Sequence, residues 1–317
     1  METGTLLRRG LCVAVLAAPL AMSEPLTHTP LDPAALDRWW DFDHPAASEA
    51  TFREELARLP QTSAARLELL TQLARAQGLQ RRFGAADATL AEVERMLSGQ
   101  PAVVKVRYLL ERGRVLNSSK RPDQAVPLFR EALDLARQAH EDFLAIDAAH
   151  MLGIAAPLAE RLRWNLEAVA MTERTDNARA KRWLASLYNN IGWTYHDRGE
   201  YALALAYFER ALPQWEARGE KSAIRAARWS IGRGLRSLER YHEALTIQEA
   251  LLAEIEKSGE TDGYVYEEIG ELHLARGDAA QAKPWFAKAY AALAQDVSLK
   301  DTEPARIERL RQLAEMP

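Results

Sequence analysis

A small residue returns at almost constant intervals through most of this chain. Ala74, Gly113, Gly153, Gly192, Gly232 and Gly270 are separated by 39, 40, 39, 40 and 38 residues. Each is followed twelve positions later by Ala86, Ala125, Asn165, Ala204, Ala244 or Ala282, and four further on by Leu90, Phe129, Val169, Phe208, Gln248 or Phe286. The fourth copy is the clearest. One apolar stripe runs Leu187, Tyr188, Ile191, Gly192, Tyr195; a second runs Tyr201, Ala204, Leu205, Phe208, Ala211, Leu212. Both have the i, i+3, i+4, i+7 spacing of an amphipathic helix. Between them lies Asp197-Arg198-Gly199-Glu200, where Gly199 can take the positive φ that ends a helix. The pattern predicts an antiparallel helical hairpin in which Gly192 faces Ala204 and the backbones approach closely. Tyr195, Tyr201 and Phe208 fill around that contact.

A hairpin of this kind cannot bury its apolar faces alone. The unit resembles the tetratricopeptide repeat, whose 34-residue motif places an aromatic or Leu, then Leu-Gly, then Tyr, Ala, Phe and Ala at fixed positions. Here Tyr188, Ile191-Gly192, Tyr195, Ala204, Phe208 and Ala211 hold those places. The resemblance implies an all-α, right-handed superhelical solenoid of six hairpins. The observed step is longer than 34, and about one extra turn in the second helix accounts for it. The six units span 67–105, 106–145, 146–184, 185–224, 225–262 and 263–299. Residues 24–66 form an N-terminal segment with a capping helix over Ala46–Leu59, and 300–317 a C-terminal cap, with Ile307, Leu310 and Leu313 on one side. The third unit is irregular: Pro157 stops its first helix early, and Asn165 stands where the others have Ala, so it lacks the small-residue contact. Pro127 and Pro284 should bend two second helices.

Residues 1–23 admit two readings. Arg8-Arg9, the apolar run Leu11–Leu20 and Ala21-Met22-Ser23 fit a secretory signal peptide. Alternatively the start lies too early and Met22-Ser23-Glu24 opens an ordinary N-terminus. The second reading puts the protein in the cytoplasm, the first in the periplasm or outside the cell. The run is too short to span a bilayer. With 41 basic and 45 acidic side chains, the formal charge of −4 implies no nucleic acid partner. Cys12 is the sole cysteine, so neither a disulfide framework nor a cysteine metal site exists.

Catalytic signatures are missing. There is no His-Glu-x-x-His, Gly-x-Ser-x-Gly, phosphate-cradling loop or Cys-x-x-Cys, and no cofactor or metal is expected. Trp39-Trp40-Asp41-Phe42-Asp43 reads as aromatics plugging an open end of the solenoid, with aspartates capping a turn. In the resembled family the first helices line a concave groove. Mapped onto this sequence, the groove carries Arg75, Arg107, Glu111, Arg114, Asn117, Asp147, His150, Asn189, Asn190, Trp193, His196, Trp229, Arg233 and Arg236. Tyr264, Glu267, Glu268 and Glu271 also fall on it, and the three glutamates read as ordinary solvated charges. Asn is a mediocre helix former, so Asn189 and Asn190 beside Trp193 in mid-helix go against local preference, as functional residues often do. Asn amides suit a peptide backbone, Trp193 and Trp229 an apolar side chain, and Arg114, Arg233 and Arg236 a carboxylate. The peptide-contacting set is therefore Arg114, Asn117, His150, Asn189, Asn190, Trp193, His196, Trp229, Arg233 and Arg236, with none on the core stripes. Some family members grip a C-terminal carboxylate with a Lys-Asn-Asn-Lys-Arg clamp. Asn190 matches one clamp Asn, but His150, Ile154, Ala226 and Ser230 stand at neighbouring places, so that ligand class is not carried over. The expected function is non-catalytic recognition of a protein or peptide in the groove. Alternatively, the chain senses a peptide and acts on a separate effector. An enzyme using His150 and Glu111 is disfavoured, because no nucleophile is paired with a base.

Overall fold

The computed structural model describes residues 29–316; the two readings of residues 1–23 lie outside the described residues. Two short helices, α1 (Pro33–Trp39) and α2 (Pro45–Leu56), precede six hairpins. The hairpins are α3 (Ala64–Leu79) with α4 (Phe83–Arg95), α5 (Ala102–Ser118) with α6 (Pro122–Gln138), and α7 (Asp142–Ala155) with α8 (Leu158–Arg174). After the one-turn α9 (Ala178–Lys181) come α10 (Leu184–Asp197) with α11 (Tyr201–Arg218), α12 (Lys221–Ser237) with α13 (Tyr241–Ser258), and α14 (Gly263–Ala275) with α15 (Ala279–Leu293). Then α16 (Val297–Thr302) and α17 (Pro304–Glu315) close the chain, the latter burying Leu310 against the last hairpin. No strand occurs among the described residues, and no helix there is long and apolar enough to cross a membrane. This is the all-α superhelix that the resemblance implied.

Five of the six hairpins close at the recurrent glycine, but the side chain seated there is not the one expected. A Cβ on Gly192 would lie 2.4 Å from the buried ring of Phe208, and 3.2 Å from the Ala204 carbonyl oxygen. The same ring-over-glycine seat joins Gly113 to Phe129 and Gly270 to Phe286, while Gln248 takes it over Gly232. The alanine twelve residues on brings the backbones close; the bulky residue four further fills the space. The third hairpin keeps a contact after all. Asn165 itself sits over Gly153, fully buried, and its Nδ2 donates to the carbonyls of Gly153 (3.2 Å) and Arg161 (3.0 Å). A larger residue at the alanine place thus substitutes for the one normally found a turn later.

The turns within hairpins are equally uniform. In five of them the N–H two residues beyond the last helical turn reaches back to a carbonyl five residues earlier at 2.9 Å: Arg82 to Gln77, Arg121 to Leu116, Glu200 to Tyr195, Arg240 to Leu235, Asp278 to His273. This six-to-one bond requires a left-handed residue just before the donor. Gly199 and Gly277 supply it without strain, whereas Arg81, Lys120 and Glu239 adopt φ near 60°. In the third hairpin Pro157 takes that role away, and α8 starts directly behind it. The helices α6 and α15 run through Pro127 and Pro284. The superhelix returns upon itself: Asp301 of α16 pairs with Arg81 at 2.8 Å and Lys120 at 3.5 Å, from the turns of the first two hairpins.

Gly192→Leu gains about 1 kcal/mol of helix propensity, but the side chain must displace the Phe208 ring from a closed core. Overpacking of this kind costs about 1–3 kcal/mol or more, so the variant should unfold at a lower urea concentration than the wild type. A midpoint equal to or above the wild-type value would show that the Phe208 seat is not the closing contact.

Candidate functional site

The first helices of the hairpins present one stripe each toward the inside of the superhelix. On α5 it holds Arg107, Leu110 and Glu111, on α7 Leu144 and Asp147, on α10 Ser186, and on α12 Ser222 and Ala226. Together with Trp183, the last turn of α11 (Trp215, Arg218) and the N-terminal arm Leu36–Asp43, they enclose a cavity of about 1050 Å³. Five aromatic rings line it: Trp40, Phe42, Phe143, Trp183 and Trp215.

Charges in its wall are nearly all spent on each other. Arg107 Nε donates to Glu68 Oε2 at 2.8 Å, a buried pair linking α3 to α5. Arg114 donates to Glu111 at 2.5 Å and also pairs with Asp147, bridging α5 and α7. Burial works to raise the Asp147 carboxyl, but the Arg114 and Arg75 guanidiniums outweigh it and hold it below the usual carboxylate range. Arg75 is different. Its nearest carboxylate oxygen, on Glu111, is 3.9 Å away, and its guanidinium instead lies over the rings of Trp40 (5.6 Å) and Phe42 (5.2 Å). Burial and the neighbouring Arg114 charge both press its pKa down. Four buried polar atoms on this inner face find no partner among the described residues: Glu111 Oε2, His150 Nδ1, Trp183 Nε1 and Asn190 Nδ2. A wall of rings with one under-paired cation and both donors and acceptors left over suits a ligand carrying amide groups.

Residues 184–214, the α10–α11 hairpin, match the family model for the tetratricopeptide repeat. The chain carries a tetratricopeptide repeat. No curated protein sequence matches it. Among solved structures it is similar to the apo form of RapI, at 14% identity and TM-score 0.62 over 89% of this chain and 81% of that one. It is also similar to NprR in complex with its cognate peptide NprX, at 14% identity and TM-score 0.54, covering 77% and 71%. A third is the signal transduction ATPase from Pyrococcus horikoshii with a tetratricopeptide-repeat sensor, at 11% identity and TM-score 0.60 over 86% of this chain. The chain spans 42% of that protein's length. At such identities the likeness is one of fold.

None of the ten residues singled out from the sequence lines the cavity. They lie on the same helical stripes of the repeats, one or two turns further along: Ser186 precedes Asn189, Asn190 and Trp193, and Ala226 precedes Trp229, Arg233 and Arg236. Trp193 and Trp229 do come together, with ring centres 6.0 Å apart, and Trp229 meets Tyr264 edge-on at 6.1 Å. Both indoles are more embedded than expected. Trp193 packs on the core ring of Phe208 at 5.0 Å, and Trp229 Nε1 donates to the Tyr264 carbonyl at 3.0 Å. His196 is 2.9 Å from Ser237 Oγ, to which Arg233 also donates. Asn117 is half-buried.

The glutamates read as solvated are the clearest correction. Glu268 is buried and takes two hydrogen bonds from Arg236, at 2.5 and 3.1 Å. Glu267 holds Arg306 of the C-terminal cap, and Glu271 holds Arg309. Their partners arrive from the preceding repeat and from the C-terminal cap, which a single helix's pattern does not reveal. Arg114 and Arg236 are accordingly occupied by protein carboxylates. Arg179, Arg182 and Trp183 around α9 are the wall residues the sequence reading passed over. Their signal was a basic-aromatic run, Arg179 to Trp183, that belongs to no repeat position.

His150 rests on Trp183, ring centres 4.8 Å apart. Burial pushes its imidazole down to about 4, against the opposing pull of Asp147. An unfolded chain binds this proton near pH 6.5. Above that pH the imidazole is neutral in both states and costs nothing, whereas between about 6.5 and 4 only the unfolded chain takes up the proton and stability falls by on the order of 2–3 kcal/mol. Unfolding free energies of His150→Gln should therefore fall less than wild type between pH 7 and 4.5. Identical losses in the two proteins would mean that His150 titrates normally in the fold.

Proposed function

We propose that this protein binds a segment of another polypeptide on its inner face, in the cavity bounded by α5, α7, α10, α12 and the N-terminal arm. The observation that carries this reading is the cavity itself. It is large enough for several residues, walled by aromatic rings, and edged by donors and acceptors without partners among the described residues. Aromatic and arginine side chains in such pockets are the groups that dominate protein recognition energies. The stripe continues past the cavity over Asn189, Asn190, Trp193 and Trp229, and we assign the ligand's continuation to that surface. Arg233 and His196 flank it. The similarity to RapI and to the NprR–NprX complex supports the same reading, since NprR is there joined to a peptide. The role is recognition rather than catalysis: the polar groups of the wall are committed to ion pairs that hold repeats together. The similarity to a sensor module favours a second reading, in which binding is relayed to a separate effector chain.

Ser186 and Ala226 face the cavity from α10 and α12 and are small. A random peptide library displayed on phage and panned against the full chain should yield binders of about micromolar affinity, near −8 kcal/mol. Ser186→Trp or Ala226→Trp would fill the cavity and should weaken those binders at least about tenfold, a loss of about 1.4 kcal/mol, with circular dichroism unchanged. Binders indifferent to both substitutions would place recognition elsewhere.

A further inference from the structure

The N-terminal arm is held to the cavity wall in an unusual way for a capping segment. Leu31 and Leu36 are buried among apolar neighbours and Trp39 and Trp40 pack in part against the same core, Trp40 meeting Phe52 at 5.0 Å, but the other attachments from Asp37 onward are polar. Asp37 accepts from Arg179 at 2.7 Å and Arg182 at 3.2 Å, side chains more than 140 residues away. Asp43 accepts from Ser222 of α12 at 3.2 Å, across the mouth of the cavity. Trp40 donates through Nε1 to Gln72 of α3 at 3.2 Å. Trp40 and Phe42 stack face to face with centres 4.5 Å apart, and Arg75 lies against them. Phe42 is 56% exposed, so its ring is not there to fill a core. The stretch Asp-Arg-Trp-Trp-Asp-Phe-Asp (37–43) thus touches α3, α9 and α12 through acids and aromatic faces, as a bound peptide would.

We propose that residues 37–43 are a built-in ligand of the concave site, and that the partner which displaces them is an acidic–aromatic peptide of the same chemistry. This rests on the reading that the inner face binds a polypeptide. The charge balance selects the partner. Asp37 is the carboxylate partner of Arg179, which lies over Phe143 at 3.6 Å and is four-fifths buried. Removing the arm leaves Arg179 without an acid and Arg75 without its rings. Uncompensated cations in a partly desolvated wall are costly. An occupant that displaces the arm must bring a carboxylate for Arg179, since Arg182 keeps Glu220 at 3.6 Å, and a ring or apolar side chain for Arg75. A neutral or basic segment cannot. Tethering explains why the arm stays in place: a linked segment faces its site at an effective concentration on the order of millimolar. A free peptide is weakened by the fraction of time the arm leaves the site open.

The test uses the full chain and a synthetic peptide of residues 31–44, acetylated and amidated, titrated by calorimetry. Loosening the arm with Asp37→Ala plus Asp43→Ala should tighten binding of this peptide by about tenfold or more. The same peptide with its aspartates replaced by asparagine should not bind. A measurement needing no variant guards against misfolding: saturating the wild type with the peptide should speed hydrogen exchange of amides 33–43. Equal affinity of wild type and loosened variant, or unchanged exchange in the arm at saturation, overturns the proposal. Library peptides that still respond to Ala226→Trp would then leave the concave binding reading standing. Loss of that response as well would remove both.

Discussion

At Gly192 the space that a Cβ would fill is taken by the edge of Phe208, and the Ala204 backbone lies directly beyond it. Everything larger in this protein is built on that approach. A ring seated on a glycine fixes how deeply the second helix of a hairpin settles into the first, and hence which side chains remain on the inner face. Because the seat recurs every 38 to 40 residues, the same settlement is repeated and a superhelix results. The third hairpin indicates what the seat requires. Val169 has not replaced the ring; Asn165, one turn earlier, has, and it adds hydrogen bonds to the glycine's own carbonyl. The constraint is on filled volume between two backbones, and more than one residue type meets it.

A second set of contacts orients the hairpins relative to each other. Glu68–Arg107, Glu111–Arg114–Asp147, Arg236–Glu268 and Glu267–Arg306 each join first helices of adjacent units, the last reaching the C-terminal cap. Pairs this buried gain little net stability, since desolvation offsets much of the attraction, but losing one partner is expensive. Their effect is to make mis-stacked arrangements costly. They also explain why most of the inner cations are unavailable to a ligand. Against that background Arg75 stands out: desolvated, close to Arg114, and satisfied mainly by aromatic faces.

Which features were readable from the sequence follows from how local their causes are. The small-residue steps and apolar stripes report contacts within one hairpin, so the repeat, the helices and the inward stripe of each first helix were all legible. The level along that stripe was not. Asn189, Asn190 and Trp193 drew attention as exceptions to helix preference, yet the cavity lies a turn earlier, at Ser186, a residue with no unusual feature. Glu268 looked like a solvated charge because its partner, Arg236, is 32 residues away on another helix. Trp193 looked like a free surface ring because its neighbour Phe208 belongs to the second helix. The arm was legible only in part: Trp39 and Trp40 do pack against the core, Trp40 on Phe52. Asp41 does cap a turn, accepting from the backbone of Asp43 and His44. But nothing near residue 37 in the sequence announces Arg179.

One departure from the family pattern acquires a meaning in three dimensions. The repeat step exceeds 34 residues, and α11, with 18 residues, is one of the two longest helices among the described residues. Its last turn carries Trp215 and Arg218, and both stand in the cavity wall. Arg218 lies over Trp215 at 4.4 Å, pairs with Glu220 at 2.5 Å, and donates to the Arg182 carbonyl at 3.1 Å. That last turn therefore ties α11 to the segment around α9. The arm meets the same segment, through Asp37 on Arg179 and Arg182.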